Sequence, residues 1–352
     1  MIIADISSFS SNGHLIGHWP QVAQLYMKAL QDSYDVKVAG SELYNSYFSN
    51  QDLIVLPYSN QGLVELGMKE KIKKIRREIK NCLMVLNGDD PDILFQSSGF
   101  TSIIITLTLF GRKIKNKNIF LIEYGYYINN KIDRFFFRHA KKHINGILVS
   151  KDDVGRKYNC PYCVIPDYLY FEDPASKGAI KNIQYDFAVV GTMNSSKDLA
   201  SVVRAFRNTS YRVIIAGFFR DRESLRTLKC QATKNITIKD QYLDDAEYSS
   251  IIEKSRFCLL PYKETYNNIS SGVVYDYLFR KKPVIAKRLS SFQFIEDNRL
   301  GILYDTSPAE AIESIRSLNY DLCVKHIEMF LETQKKITET MKKFVGEKRR
   351  QF

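Results

Sequence analysis

Short apolar runs of strand type alternate with amphipathic helical patterns along this whole 352-residue chain, and that alternation constrains the fold more than any other feature. In the first half the strand candidates are "MIIADI", "DVKVAG", "DLIVLPY", "CLMVLNG", "NIFLIEY" and "GILVS". Between them lie helices such as "PQVAQLYMKALQDS", where Val22, Leu25, Ala29 and Leu30 recur near the helical period. The cadence resumes with "YDFAVVGT", a helix over 196–207, "YRVIIAGFF", a helix from about 222, "NITIKD", a helix near 245–254 and "FCLLPY". It ends with "PVIAK", "GILYD" and a long final helix. Such a pattern predicts an α/β protein with parallel sheets. The stretch "FEDPASKGAIKN" (171–182) breaks the periodicity with Pro, Gly, Ser and charges, and reads as a linker. The expected organisation is two Rossmann-like domains, 1–170 and 183–325, facing a cleft, with 326–352 a C-terminal helix packing back on the first.

Charge narrows the partners. The net charge is +12, from 51 Lys+Arg against 39 Asp+Glu, which favours an anionic partner. No uncharged apolar segment reaches about 18–20 residues, so no spanning helix is expected. The start "MIIADISSFS" has neither the basic region nor the apolar core of a secretory signal. Six scattered cysteines fit a reducing cytoplasm. Only Cys160 and Cys163 have CxxC spacing, and without a second pair they read as ordinary strand-flanking residues rather than zinc ligands.

Three stretches carry chemistry. In "FAVVGTMNSSKDLASVVRAF" a strand passes through a tight turn into a helix. Gly191 there lets the backbone approach a ligand, and Lys197 could reach a phosphate from the first helical turn; the alternative is a plain turn with a solvated lysine. "RVIIAGFFRDR" repeats the device with Gly217, and Arg220 and Arg222 beyond it match phosphate oxygens or form a surface pair. The most specific stretch is "SSGVVYDYLFRKKPVIA", 270–286. Ser270 or Ser271 suits an N-cap, Gly272 permits close approach to the free amides, and the helix start is a ready anion site. Asp276 lies one turn in, far enough from a phosphate to accept hydrogen bonds from ribose hydroxyls.

From Phe187 to about Asp305 the chain resembles the donor-binding domain of GT-B glycosyltransferases, of the group-1/group-4-like bacterial kind. The resemblance rests on "VVGTMNSSKDL", "VIIAGFF" and the run "ITIKDQYLDDAEYSSIIEKSRFCLLPYKETYNNISSGVVYDYLFRKKPVIA", closing with "LGILYD". In the first half "NGHLIGHW", "LIEYGYY" and "GILVSKD…CVIPDYLY" match more loosely. The resemblance implies a nucleoside-diphosphate sugar as donor substrate, no cofactor and no metal. It implies that Gly191, Thr192 and Lys197 face the diphosphate, that Ser270, Ser271 and Gly272 cradle phosphate, and that Asp276 takes the ribose. Many retaining members carry two glutamates eight residues apart; this chain has Asn268 and Asp276. An inverting enzyme would need a general base, for which Glu123 and His14 are the candidates, with Asp89 and Asp90 behind them.

The positive charge concentrates in the N-terminal half. "MKEKIKKIRREIK" sets Ile72, Ile75 and Ile79 on one stripe amid lysines and arginines, and "KIDRFFFRHAKKH" sets Phe135, Phe136 and Phe137 between cations. "GRKIKNK" follows the apolar "FTSIIITLTLF". Basic residues beside apolar ones suit an anionic membrane surface at the cytoplasmic face, although each is also compatible with an ordinary amphipathic or core helix. The expected function is transfer of a sugar to a lipid-linked or saccharide acceptor in surface polysaccharide or glycan synthesis. A sugar-nucleotide epimerase of the same fold and a non-catalytic sugar-nucleotide-binding or nucleic-acid-binding protein are the alternatives. Nucleic acid is not an expected partner, since the basic residues follow no stacking platform.

Overall fold

The computed structural model describes residues 1–348 apart from 12–13, 16–18, 62–66, 97–98, 115, 126, 129, 166–168, 172–181 and 268–270, with the backbone alone at Ser11, His14, Gln61 and Lys113. The chain divides into two compact units, Met1–Leu169 with Lys335–Phe352, and Tyr170–Gln334. Most of the linker predicted over 171–182 lies outside the described residues.

The first unit runs β1 (Ile2–Ala4), β2 (Phe9–Ser11), β3 (His14–Leu15), α1 (Trp19–Leu30), β4 (Lys37–Gly40), β5 (Leu53–Val55), β6 (Asn60–Gln61) and α2 (Met68–Asn87). It continues with β7 (Asp92–Phe95), α3 (Phe100–Phe110), β8 (Asn118–Glu123), α4 (Lys131–Ala140), β9 (Gly146–Val149), α5 (Asp152–Tyr158) and β10 (Tyr162–Val164). Seven strands form one sheet in the order β10-β9-β8-β7-β1-β4-β5, every pair parallel. Parallel strands are covered on both faces, which is why β1 and β8 are buried along their whole length. The order reverses between β1 and β7, so the loops after those strands flank a switch point. A small second sheet, β3-β2-β6, sits beyond the carboxyl ends of β1 and β5.

One expected strand is a helix. "CLMVLNG" forms the last turns of α2, with Cys82, Val85 and Leu86 buried while Met84 stands out. That three-and-four spacing fits a helical face, and the strand is supplied by "DILF" a few residues later. The isoleucine stripe is not the buried face either. Ile72 is 47% exposed, and the buried positions are Glu78, Asn81, Cys82, Val85 and Leu86. Burial of Glu78 is compensated by hydroxyl donors, Ser7 Oγ at 2.5 Å and Ser102 Oγ at 2.6 Å.

The second unit runs β11 (Tyr185–Val190), α6 (Leu199–Phe206), β12 (Val213–Gly217), α7 (Arg222–Gln231), β13 (Ile236–Asp240), α8 (Asp245–Glu253), β14 (Ser255–Leu260) and α9 (Gly272–Phe279). After these come β15 (Val284–Lys287), α10 (Gln293–Asp297), β16 (Gly301–Tyr304), α11 (Pro308–Ser317) and α12 (Tyr320–Glu347). Its six parallel strands lie in the order β13-β12-β11-β14-β15-β16, so the switch point falls between β11 and β14. The last turns of α12 belong to the first unit. There Phe344 meets Phe120 edge-on at 6.5 Å, and Asn145 donates to the Lys348 carbonyl at 2.9 Å. Among the described residues no helix is long and apolar enough to cross a membrane.

Candidate functional site

In the second unit, loops from both sides of the switch point converge. Strand β11 ends at Gly191, whose φ of +94° suits glycine alone. A methyl placed on Gly191 would lie 3.8 Å from Lys197 Nζ and 3.9 Å from Val273 Cγ2, so the backbone there is bare between an ammonium and the first turn of α9. The turn from Asn194 to Lys197 is closed by Asn194 Oδ1, which accepts from the Ser196 amide. It is then stitched to the chain after β14: Asp198 N donates to Pro261 O, Lys263 N donates to Ser196 O, and Lys197 bridges to Tyr262.

Lys197 sits just ahead of Asp198, the N-cap of α6, rather than inside the first helical turn as expected. Its side chain is 6% exposed. It turns back to donate to the Val190 carbonyl at 2.8 Å, with the Tyr262 ring 5.7 Å away. Burial lowers its pKa to about 8. Among the described residues no carboxylate pairs with it. A buried ammonium without a counter-ion, beside a bare backbone, has the chemistry to pair with an anion.

The start of α9 differs from the sequence expectation in one respect. Ser271 holds the N-cap position, but its side chain does not cap; its Oγ lies 3.2 Å from the Tyr262 hydroxyl. Among the described residues no side chain caps the first amides of α9, and such free amides are donors an anion can use. Ser270 and Asn268 lie outside the described residues. One turn into α9, Asp276 is half-buried and accepts from the Tyr248 hydroxyl of α8 at 2.7 Å. Burial raises its pKa to about 6, opposed by the Tyr248 hydrogen bond and the Arg280 charge. Tyr248 and Tyr262 were not singled out from sequence; their only signal is a place inside the run "DDAEYSSIIEKSRFCLLPY".

The remaining predicted donor residues divide. Thr192 is exposed next to Gly191, and Arg220 is exposed at the end of the β12 loop. Arg222, the suggested second half of a clamp, is instead paired with Asp240 and stacked 5.8 Å from Phe218. Gly217 is needed for packing: a methyl on it would lie 1.8 Å from the Gly191 carbonyl oxygen. That close approach is to the chain itself.

In the first unit, Glu123 ends β8 with 0% exposure, and neither carboxylate oxygen has a hydrogen-bond partner among the described residues. Burial pushes its pKa well above the ordinary carboxylate value, which favours the neutral form. A general base must be ionised and within reach of the acceptor hydroxyl, and Glu123 is fully enclosed in this conformation. His14 lies in β3, backbone-paired with Ser11, and its side chain is outside the described residues. Asp89 and Asp90 stand just before β7, at the amino edge of the sheet where ligands of α/β sheets do not bind. Cys160 and Cys163 are thiols whose pKa values burial raises. Among the described residues no group of three His, Cys, Asp or Glu could hold a metal ion.

No protein-family model and no curated protein matches this sequence. Solved structures do match in fold. One titled as trehalose-6-phosphate from E. coli bound with UDP-2-fluoro glucose superposes with a TM-score of 0.70 at 10% identity, covering 100% of this chain and 99% of that one. A sucrose-phosphate synthase from Thermosynechococcus elongatus gives a TM-score of 0.65 at 12% identity over 98% of each chain. Anabaena HepE, in complex with UDP and glucose, gives 0.59 at 9% identity over 98% of each chain. The chain has the GT-B fold.

Proposed function

We propose that this chain is a metal-independent glycosyltransferase that moves a sugar from a nucleoside-diphosphate sugar to a saccharide or lipid-linked acceptor. The observation that carries the reading is the convergence at the switch point of the second unit: bare Gly191, the buried Lys197 ammonium and the uncapped start of α9. The reaction releases a diphosphate, and its barrier falls when developing negative charge meets preorganised donors in a dry site. Lys197 and the α9 amides supply those donors, while Asp276 can accept from ribose hydroxyls one turn away. Neighbours of the same fold solved with UDP or UDP-2-fluoro glucose support a uridine diphosphate sugar as the first probe.

The test is a thermal-shift panel of uridine, guanosine, adenosine, thymidine and cytidine diphosphate sugars. At least one should stabilise the protein by mass action. Stabilisation by none overturns the donor site. Asp276→Ala should weaken the responding donor roughly tenfold or more with the fold intact, the size of one lost hydrogen bond to a charged group. Unchanged affinity in the folded variant removes the ribose role. Because the Asp276 pKa lies near 6, donor affinity should fall in the wild type as pH drops through that value, and this fall should be absent in the variant.

A peripheral membrane position for the acceptor side is supported by α4. Ile132 is 65% and Phe135 52% exposed, with Leu109 62% exposed on α3, the helix that packs beside α4. Lys131, Arg134, Arg138 and Lys141 line a groove of about 420 Å³ along that helix. Phe136 and Phe137 turn inward, so one phenylalanine of the three faces out. The Ile132→Glu/Phe135→Glu variant should lose co-sedimentation with phosphatidylglycerol vesicles and keep its response to the donor. Equal sedimentation of both proteins, or none for the wild type, counts against this placement.

A further inference from the structure

The first unit contains a second polar cavity that the donor site does not use. It measures about 520 Å³ and is lined by Ser10 of β2, the segment Pro57–Asn60, and Glu70, Lys73, Lys74 and Arg77 of α2. Its position follows from topology. Strand β2 follows the carboxyl end of β1, the 57–60 segment follows the carboxyl end of β5, and α2 begins on the same side. The cavity therefore lies at the ligand-binding edge of the parallel sheet.

Its chemistry is cationic. Lys73, Lys74 and Arg77 recur at three- and four-residue spacing, which puts them on one side of α2. Against them the lining offers one carboxylate, Glu70. Lys74 is fixed in place, 3.7 Å from Glu78 and 4.6 Å over the Phe9 ring. Glu78 in turn is occupied by Ser7, Ser102 and Asn60. Lys73, which is exposed, and Arg77, which is half-buried, line the same cavity and have no ion-pair partner among the described residues. A guanidinium with two ammonium groups on one side of a helix matches phosphate oxygens.

We propose that this cavity binds the phosphate group of a phosphorylated acceptor, with Lys73, Lys74 and Arg77 on the phosphate and the Ser10, Ser59 and Glu70 oxygens available to sugar hydroxyls. The inference rests on the glycosyltransferase reading and names its acceptor class: a sugar phosphate, or a sugar joined to a lipid through a diphosphate. No bond changes at this site; the phosphate is a handle that positions the acceptor.

The experiment titrates glucose, glucose 6-phosphate and a short-chain prenyl diphosphate into the full chain. Three proteins are compared: the wild type, Lys73→Ala/Arg77→Ala, and Lys69→Ala/Lys71→Ala. The last removes equal charge from α2 outside the cavity. At least one phosphorylated compound should bind the wild type, glucose far more weakly, and the cavity variant should lose tenfold or more while the control keeps wild-type affinity. Preference for glucose 6-phosphate identifies a soluble acceptor, and preference for the prenyl diphosphate a lipid-linked one. Equal binding of glucose and its phosphate, no loss in the cavity variant, or equal loss in the control overturns the proposal. Thermal shifts with nucleotide sugars on the same preparations separate the two readings. Donor response without phosphate response removes this cavity alone, and phosphate response without donor response leaves the cavity while removing the transferase.

Discussion

Lys197→Met is expected to eliminate stabilisation by nucleotide sugars and to lower any transfer activity at least a hundredfold. The ammonium is a buried cation at the convergence of β11, the Tyr262 segment and α9, and a bound diphosphate would be its counter-ion. Losing a buried charge-assisted contact to a phosphate is worth about 3 kcal/mol or more, which is the hundredfold. The same side chain gives a second readout in the absence of ligand. Its pKa is about 8 when folded against an ordinary 10.5, so between those values the unfolded chain binds a proton that the folded chain does not. Stability must then rise with pH across that window, by an upper bound of roughly 3 kcal/mol at about 1.4 kcal/mol per tenfold change in proton affinity. At pH 7 both states are charged, and the folded protein carries the full cost of desolvating the ammonium. Urea unfolding at pH 7 and pH 10 measures the difference. The wild type should gain stability over the variant at the higher pH; a parallel response, or donor stabilisation of equal size in both proteins, means that Lys197 is neither buried as charged nor in contact with the donor.

Much of this was legible in the sequence because an α/β sheet writes itself as a cadence. Every strand of the second unit begins within a few residues of an apolar run, and the α/β class follows from the alternation alone. The failure over 82–88 has a physical cause: a short apolar run reads the same for a buried strand and for a helix with a narrow buried face. Only the packing of Cys82 and Val85 against the unit's core, with Met84 outside, separates them. At the site, Gly191, Lys197, Gly272 and Asp276 could be read because glycine at a strand end and a cation or acid at fixed offset are local signals. Tyr248 and Tyr262 could not. Tyr248 of α8 meets Asp276 of α9 across the intervening β14, and Tyr262 meets Ser271 through the loop that follows β14; neither approach is written in a local pattern. Glu123 is a further case: its place at a strand end is local, but its complete burial depends on the layers that close over β8.

Gly217→Ala is expected to be strongly destabilising to the second unit. Glycine tolerates the φ of +149° at this position, and the added methyl would lie 1.8 Å from Gly191 O and 2.7 Å from Gly191 C. Both are backbone atoms, so no side-chain rotation relieves the overlap. Nor can Gly191 easily retreat, because its own amide donates to Ala216 O at 3.1 Å and its φ is already one that only glycine adopts freely. One strand end must move away from the other, with loss of ladder hydrogen bonds in the middle of a six-stranded sheet. A cost of about 3 kcal/mol or more follows, near the upper range for a single substitution, and a fall in Tm of at least ~6 °C. Gly67→Ala, where a methyl would meet nothing within 4 Å, should change Tm far less. The donor response should disappear with stability in Gly217→Ala, since displacing Gly191 disturbs the ground on which the diphosphate would rest. The opposite pattern, a variant of wild-type Tm that no longer responds to nucleotide sugars, would mean that Gly217 faces the ligand rather than the neighbouring strand.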